Sequence, residues 1–303
     1  MKRILLSNNA LHRVGGTETF TFAMAQELVR RGYKVDVFTL SPGLVSQYMQ
    51  ESLGVRLVNG NGNYDVVLAN HSSTVKILRS LHSGFIVQTC HGVTTALEQP
   101  SPFAHAFVGI SQELVAHIES ITEKKAICIM NGIDCSRYYP SSPLNKSVKR
   151  VLSLSQNESL NEVFKSDFIS RGIEFDVLNK FKNPVWNVEK YINQADMVVS
   201  FGRGAYESMA CGRPVLVLDH RPKLTLQGDG LILPDNVQEI MWSNSRGVAF
   251  RNNNIKEMID HALDYYSPQL GEWCRHYAIS NLNIQLQVTK YIELCNQLIW
   301  YMS

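Results

Sequence analysis

Short apolar runs alternate along the chain with stretches in which apolar residues recur every three or four positions. In one such stretch the recurring residues are Phe20, Met24 and Leu28. This period matches one buried face of a helix, so the pattern predicts a helix over about 17–31 that ends at Gly32. The short apolar runs predict buried strands. In the first half they lie at residues 3–6, 34–40, 55–58, 65–69, 84–89, 106–110 and 126–129.

The second half repeats this alternation after an aperiodic stretch. Residues 138–149 are rich in proline and serine and have no hydrophobic period, which is typical of an interdomain linker. Strands that alternate with helices predict a mostly parallel sheet in each half, with helices on both faces. The later strands are predicted at about 150–154, 175–178, 197–201 and 214–218. The other helical patterns lie at about 73–81, 112–119, 161–170, 188–194, 205–210, 255–266, 270–279 and 284–300.

The chain of 303 residues has an ordinary globular composition, with 45% apolar and 18% charged residues. Its formal net charge of +2 gives no support for a nucleic-acid groove. The apolar run near the start is too short for the core of a secretion signal, and no run approaches the ~20 residues of a membrane-spanning helix. The six cysteines form no Cys-x-x-Cys pair and no zinc spacing. We therefore expect a cytoplasmic protein with reduced thiols, and contact with the inner face of a membrane stays open.

The segment around Phe201 carries the most chemical information. A predicted strand ends there, Gly202-Arg203-Gly204 predicts a tight turn, and a helix follows. The N–H groups and positive dipole end at the start of a helix make a favourable phosphate site. Glu207 lies in the first turns of this helix, where a carboxylate can accept two hydrogen bonds from a ribose diol. An ordinary strand–turn–helix with a solvated glutamate fits these residues equally well.

Residues 207–215 read Glu-Ser-Met-Ala-Cys-Gly-Arg-Pro-Val. They closely resemble the Glu-Ala-Met-Ala-x-Gly-x-Pro-Val signature of family 4 glycosyltransferases with the GT-B fold. The resemblance implies an α/β fold of two Rossmann-like domains that face a central cleft. It also implies that Glu207 binds the ribose of the donor nucleotide and that N–H groups near Gly204 and Ala205 hold the donor phosphates.

Other landmarks of this family follow in the same order. Gly15-Gly16-Thr17-Glu18 resembles its Gly-Gly-x-Glu loop, where the missing Cβ lets the backbone approach the diphosphate and sugar. His91 stands where the family often has a histidine that contacts the donor sugar. Cys90 beside it leaves a Cys–His nucleophile open as an alternative. His71 also ends a predicted strand and is a further candidate.

Two more landmarks concern the domain boundary and the nucleobase. The stretch 131–138, Asn-Gly-Ile-Asp-Cys-Ser-Arg-Tyr, resembles the family's Asn-Gly-Val-Asp-x-x-x-Phe element, to which we assign a structural role, with contacts to the cleft left open. Trp186 falls where relatives hold the base, and a packing role fits it equally. The resemblance predicts an N-terminal acceptor domain over 1–140, a nucleotide-sugar domain over 148–283, and a terminal helix within 284–303 that crosses back to the first domain.

The chain departs from the family pattern at two places. Val199 replaces the first glutamate of the family's pair. The family also carries Gly-Arg and then Lys after the first strand of the second domain, where the two cations neutralise the diphosphate. Here no Arg or Lys follows the predicted strand 150–154 before Lys165. Arg203 and Lys165 are the candidate substitutes.

These features predict a retaining glycosyltransferase that moves a sugar from a nucleotide-diphosphate sugar to an unknown glycan, lipid-linked or small-molecule acceptor. The predicted catalytic residues are His91 and Glu207. The predicted donor-binding residues are Gly15, Gly16, Lys165, Trp186, Gly202, Arg203, Gly204, Ala205 and Glu207.

The sequence contains no Asp-x-Asp pair, so we expect a metal-independent reaction with no cofactor besides the donor substrate. Three alternatives stay open. They are a nucleotide-sugar epimerase, a GT-B-like protein that binds a nucleotide sugar without transferring it, and a DNA-base glucosylating enzyme, which the balanced charge does not favour.

Overall fold

The computed structural model describes residues 3–219 and 227–300. Contacts divide the described chain into two compact units. The first unit consists of residues 3–132 and 284–300, and the second of residues 133–219 and 227–283. Residues 301–303 of the predicted terminal segment lie outside the described part.

The described residues form twelve strands and eleven α-helices. The strands are β1 (Arg3–Ala10), β2 (Lys34–Ser41), β3 (Arg56–Leu57), β4 (Val66–Ala69), β5 (Phe85–Cys90), β6 (Ala106–Gly109), β7 (Ala126–Cys128), β8 (Arg150–Ser153), β9 (Glu174–Val177), β10 (Met197–Ser200), β11 (Val215–Asp219) and β12 (Gln227–Leu231). The helices are α1 (Gly16–Arg30), α2 (Leu44–Leu53), α3 (Ser72–Ser80), α4 (Gln112–Thr122), α5 (Glu158–Ser170), α6 (Val188–Ile192), α7 (Gly202–Ala210), α8 (Val237–Trp242), α9 (Ile255–Tyr265), α10 (Pro268–Tyr277) and α11 (Ile284–Trp300).

Each unit is built on an open sheet with a topological switch point. The first unit has seven parallel strands in the order β3-β2-β1-β4-β5-β6-β7, so the order reverses between β1 and β4. The second unit has five strands in the order β12-β11-β10-β8-β9, in which only β12 is antiparallel to its neighbour. Its order reverses between β8 and β10. Open α/β sheets bind ligands at the carboxyl ends of the strands beside such a point.

The central strands are buried on both faces, which explains their continuous apolar runs. All four residues of β4 and all four residues of β10 are buried. In the first unit the core extends from the sheet into α3 and α4 through Val75, Leu78, Leu114 and Ile118. The predicted alternation of strands and helices, and with it the α/β class, is confirmed.

The last helix, α11, packs against α1 of the first unit. The guanidinium of Arg31 donates to the carbonyl oxygen of Gln285 at 2.5 Å and to the hydroxyl of Thr289 at 2.9 Å. Further along α11, the hydroxyl of Tyr291 lies 2.9 Å from that of Thr89 on β5. These bonds fix α11 against both the sheet and α1. No helix of the described chain is long and apolar enough to cross a bilayer.

The structure adds three elements that the sequence pattern did not predict, namely α2, α8 and β12. It also extends β1 through the polar residues Ser7, Asn8 and Asn9 to Ala10. Another difference concerns the start of α7, which begins at Gly202 and not at about residue 205. The three residues predicted as a turn are therefore the first turn of the helix.

Candidate functional site

The strand-to-helix junction of β10 and α7 lies at the switch point of the second sheet. Phe201 is extended, with φ of −148°, and Gly202 follows with φ of 54°, in the left-handed region that favours glycine. The N–H of Gly202 donates to the carbonyl oxygen of Ser245 at 3.1 Å. The next N–H groups of this turn belong to the part of a helix that lacks intrahelical acceptors. A phosphate is therefore a suitable ligand for this end of α7.

Gly204 allows α7 to start close to the strand that precedes it. A Cβ at this position would lie 2.4 Å from Oγ of Ser200 and 3.3 Å from Cδ1 of Leu154. The first distance is shorter than any normal contact, so a side chain here would push the helix away from β10 or displace Ser200. Glycine thus keeps the first turn of α7 tight against the carboxyl end of the sheet.

Glu207 lies in the second turn of α7 and is buried. Its Oε1 accepts from Nε of Arg203 at 2.9 Å, and each side chain is 9% exposed. The hydroxyl of Tyr138 also donates to this carboxylate. Burial raises the pKa of Glu207, while the charges of Arg203 and Arg137 and the two hydrogen bonds act in the opposite direction. The structure therefore contradicts the alternative of a solvated glutamate.

Arg137 joins this group from the segment before the second sheet. Its Nη2 donates to the carbonyl oxygen of Trp186 and lies 3.1 Å from Oε2 of Glu189. Its guanidinium carbon lies 5.1 Å from the ring centroid of Trp186 and 5.1 Å from that of Tyr138. Trp186 therefore has a packing role against a cation in this structure. The element that contains Arg137 and Tyr138 was expected to be structural, with contacts to the cleft left open, and Glu189 was not predicted as a site residue.

The loop between β8 and α5, where relatives carry cations, is held by neutral side chains. The hydroxyl of Ser153 donates to Oδ1 of Asn161 at 2.7 Å, and Nδ2 of Asn161 donates to the carbonyl oxygen of Ser155 at 3.1 Å. Asn157 caps α5 by accepting from the N–H of Leu160. Lys165 is exposed on α5, about 10 Å along the helix axis from its first turn. The structure does not bring Lys165 together with the α7 group.

A polar network occupies the carboxyl ends of β1 and β4 at the switch point of the first sheet. The side-chain amides of Asn8 and Asn70 each donate to Oγ1 of Thr21 at 2.9 Å. That hydroxyl donates to the carbonyl oxygen of Thr17 at 2.7 Å. Nε2 of His91 lies 3.0 Å from Oδ1 of Asn70. His91 is therefore oriented by a buried amide, and this orienting network was not predicted from the sequence.

Two residues beside this network, His71 and Cys90, are buried, and burial shifts their pKa values. Nδ1 of His71 accepts from the N–H of Asn9 at 3.1 Å, and burial lowers the pKa of His71 to about 4. Its ring is therefore neutral near pH 7. Cys90 is fully buried, and burial together with the charge of Glu98 raises its pKa to about 12. A protonated, inaccessible thiol gives no support to the Cys–His nucleophile.

The predicted Gly-Gly loop forms the start of α1. The helix begins at Gly16 with Gly15 as its N-cap. A Cβ on Gly15 would lie 2.4 Å from Oε2 of Glu18, whereas a Cβ on Gly16 would meet nothing within 4 Å. Gly16 therefore leaves open space at this turn. Among residues 3–219 and 227–300, no group of three His, Cys, Asp or Glu side chains is placed to hold a metal ion.

Solved structures resemble this chain over its whole length. HepE from Anabaena, solved with UDP and glucose, aligns over 98% of this chain and 100% of its own with a TM-score of 0.65 and 13% identity. A glycosyltransferase from Rickettsia africae aligns over 100% and 99% with a TM-score of 0.65 and 15% identity. An alpha-glucosyltransferase in complex with UDP and a 13-mer DNA containing an HMU base aligns over 97% and 99% with a TM-score of 0.57 and 11% identity. No family model and no curated protein matches the chain.

These structures are GT-B glycosyltransferases. The chain has the GT-B fold. The fold expected from the resemblance is thereby confirmed. At identities of 11–15% the likeness establishes the fold, and the activity of this GT-B chain has to be argued from its own residues.

Proposed function

We propose that this GT-B chain is a glycosyltransferase that takes its sugar from a nucleotide-diphosphate sugar. One observation carries the proposal, which is the buried carboxylate of Glu207 in the second turn of α7, beside the switch point of the second sheet. The charge of Arg203 favours the ionised form of this buried carboxylate, and an ionised carboxylate can accept hydrogen bonds from both hydroxyls of a ribose diol. HepE and the alpha-glucosyltransferase, which share the fold, were each solved with UDP.

In this proposal the donor diphosphate is bound by the first turn of α7. The N–H groups near Gly204 and Ala205 and the positive end of the helix dipole stabilise its charge. Gly202 and Gly204 have no side chains that would block the phosphates. We assign Trp186 to the nucleobase. Arg203 supplies a positive charge, although its Nε already donates to Glu207. Lys165 is a weaker substitute for the missing cations because it stands well along α5.

In the first unit, Gly15, Gly16 and His91 are the residues that we assign to the sugar. The bond between the anomeric carbon and the phosphate oxygen breaks, and a bond from the acceptor oxygen to the same carbon forms on the same face. Because the acceptor attacks from the face that the phosphate leaves, the anomeric configuration is retained, and the proton of the acceptor hydroxyl passes to the departing phosphate oxygen. No metal ion enters this scheme, because the sequence lacks an Asp-x-Asp pair.

A second candidate function is nucleotide-sugar binding without transfer. The observation that favours it is the neutral loop between β8 and α5, in which hydrogen bonds among Ser153, Ser155 and Asn161 occupy the place of the cations. Without these cations the leaving diphosphate is less stabilised, which slows bond cleavage more than it weakens binding.

The experiment that tests both candidates measures binding and turnover on the same samples. We expect UDP-sugars, GDP-sugars or ADP-sugars to raise the melting temperature of the wild-type protein, because a ligand that binds only the folded state stabilises it. Glu207→Gln should weaken this binding at least tenfold, since a neutral amide replaces the acceptor pair. Glu162→Gln, on the exposed face of α5, is the matched control.

Release of the nucleoside diphosphate separates the two candidates. A slow hydrolysis of the bound donor, lost in Glu207→Gln and kept in Glu162→Gln, supports the transferase. Binding without hydrolysis, with a broad set of sugar and lipid-linked acceptors present, supports the binding protein. Absence of binding to every nucleotide sugar would overturn both.

A further inference from the structure

We propose that Arg137 is a positioning residue that ties the loop carrying Trp186 to the carboxylate of Glu207, so that the base side and the ribose side of the donor site form one prebuilt unit. The inference rests on the proposed function of the α7 site. It assigns a specific positioning role to one residue of the 131–138 element, for which the sequence predicted a structural role and left contacts to the cleft open.

The contacts of Arg137 join its own segment to α6 and to the loop that precedes it. Its Nη2 donates to the carbonyl oxygen of Trp186, which fixes the backbone of the loop before α6. Nη2 and Nε lie 3.1 and 3.3 Å from Oε2 of Glu189 on α6. The same guanidinium lies over the rings of both Trp186 and Tyr138, 5.1 Å from each centroid. A planar cation with several donors can make all these contacts at once, and a lysine cannot.

The link to Glu207 is electrostatic and passes through the neighbouring tyrosine. Tyr138, next in the chain to Arg137, donates its hydroxyl to the carboxylate of Glu207. The charge of Arg137 also acts on Glu207 directly. Because Glu207 is buried and Arg137 is only 22% exposed, their attraction is screened less than it would be between two fully exposed groups. Loss of Arg137 therefore changes the ionisation of Glu207 and the position of Trp186 together.

Charged and titratable groups near Glu207 come from several elements of the second unit. Arg203 belongs to α7 itself, Arg137 and Tyr138 precede the second sheet, and Glu189 stands on α6. Cys211 follows α7, and Arg275 on α10 donates to the carbonyl oxygen of Ala210. Glu189 on α6 lies against Arg137, with its Oε2 3.1 Å from Nη2 of that arginine.

The first test needs no ligand. We expect Arg137→Met to raise the pKa of Glu207, because a nearby positive charge that favours the carboxylate is lost; the pKa is read from the pH titration of its ¹³C carboxyl signal, which Glu207→Gln assigns. The same variant should make Trp186 more accessible to acrylamide, read as the fluorescence difference from Trp186→Phe in each background. Arg171→Met is the matched control, because Arg171 also forms ion pairs within the second unit, with Asp167 and Asp260.

The second test measures UDP affinity by calorimetry against pH. Arg137→Met should weaken UDP binding about tenfold at pH 6 and less at pH 8, because protonated Glu207 loses an acceptor for the ribose diol. Arg137→Lys should return the pKa of Glu207 most of the way to its wild-type value. The acrylamide quenching of Trp186 should stay as high as in Arg137→Met. Arg171→Met should leave the affinity and its pH profile unchanged.

The outcomes separate the inference from the proposed function. If wild-type protein binds no nucleotide, the proposed function fails. If it binds UDP and Arg137→Met binds equally well at both pH values, the inference alone fails. An unchanged pKa of Glu207 together with unchanged quenching of Trp186 also overturns it, whatever the nucleotide data show.

Discussion

Nε of Arg203 lies 2.9 Å from Oε1 of Glu207, one turn further along α7, and each side chain is only 9% exposed. Such a pair adds little net stability as a unit, because both ions lose their hydration. Removing one partner is much more costly than removing both, since the remaining charge stays buried without compensation. Because of this asymmetry, the interaction between Arg203 and Glu207 can be tested by stability measurements without any substrate.

We expect Arg203→Met to lower the free energy of unfolding by about 3 kcal/mol at pH 7, because it leaves Glu207 with less compensation. The double variant Arg203→Met/Glu207→Gln should recover at least half of that loss. Urea denaturation followed by circular dichroism measures both values. A loss in the double variant equal to the sum of the losses in Arg203→Met and Glu207→Gln alone would mean that the two side chains contribute independently.

Substitution of Gly16, in the glycine pair at the start of α1, can distinguish a packing role from a ligand-binding role. A Cβ on Gly16 would meet no atom within 4 Å, so Gly16→Ala should leave the melting temperature unchanged or raise it slightly. If Gly16 borders the donor, the same methyl group should lower donor hydrolysis at least tenfold. Both values are measured on one preparation. A fall in stability that parallels the fall in hydrolysis would assign Gly16 a packing role instead.

Gly204 is expected to behave in the opposite way. Its Cβ would lie 2.4 Å from Oγ of Ser200, so Gly204→Ala should cost about 1–3 kcal/mol of stability through overpacking. The double variant Ser200→Ala/Gly204→Ala removes the hydroxyl and leaves Leu154 as the nearest neighbour at 3.3 Å. Thermal unfolding should therefore show substantial recovery in the double variant. If no recovery occurs, the close approach to Ser200 is not what selects glycine here.

The periodic elements of the fold could be predicted because their signal is local. Buried parallel strands read as continuous apolar runs, and nearly all of them were predicted within a few residues. The missed strand β12 contains Gly228 and Gly230, which have low strand propensity, and it forms because β11 pairs with it in antiparallel register. The six-residue helix α8 is too short to show a helical period. Only α2 carried an overlooked signal, with Leu44, Val45, Tyr48 and Met49 one turn apart.

The candidate site was predictable where one segment carries it and not where distant segments meet. Glu207 and the glycines around it share one strand–helix junction, so their spacing could be interpreted directly. Arg137 reaches Trp186 and Glu189 about fifty positions away, and no local pattern encodes such contacts. The orienting bond between Asn70 and His91 likewise joins the loops that follow two different strands, β4 and β5. Such pairs become visible only after the sheet order is known.

The buried ring of His71 is expected to make the stability of the fold depend on pH. Its Nδ1 accepts from the N–H of Asn9 at 3.1 Å, so the folded state holds the neutral ring with its proton on Nε2. Burial lowers the pKa from an ordinary value of 6.5 to about 4. Between these two values the unfolded chain binds more protons than the folded one. Stability should therefore fall as the pH falls from 6.5 towards 4, and His71 should contribute up to about 3 kcal/mol of that fall.

The variant that isolates this effect is His71→Asn, whose Oδ1 can replace Nδ1 as the acceptor for the N–H of Asn9. It should unfold with a flatter dependence on pH than the wild type, and the difference between the two should grow from pH 6.5 to pH 4.5 in favour of the variant. Urea titrations at four pH values measure this. His12→Asn is the control because His12 is exposed. Parallel curves for wild type and His71→Asn would show that the buried ring accepts a proton in the folded state, contrary to the lowered pKa.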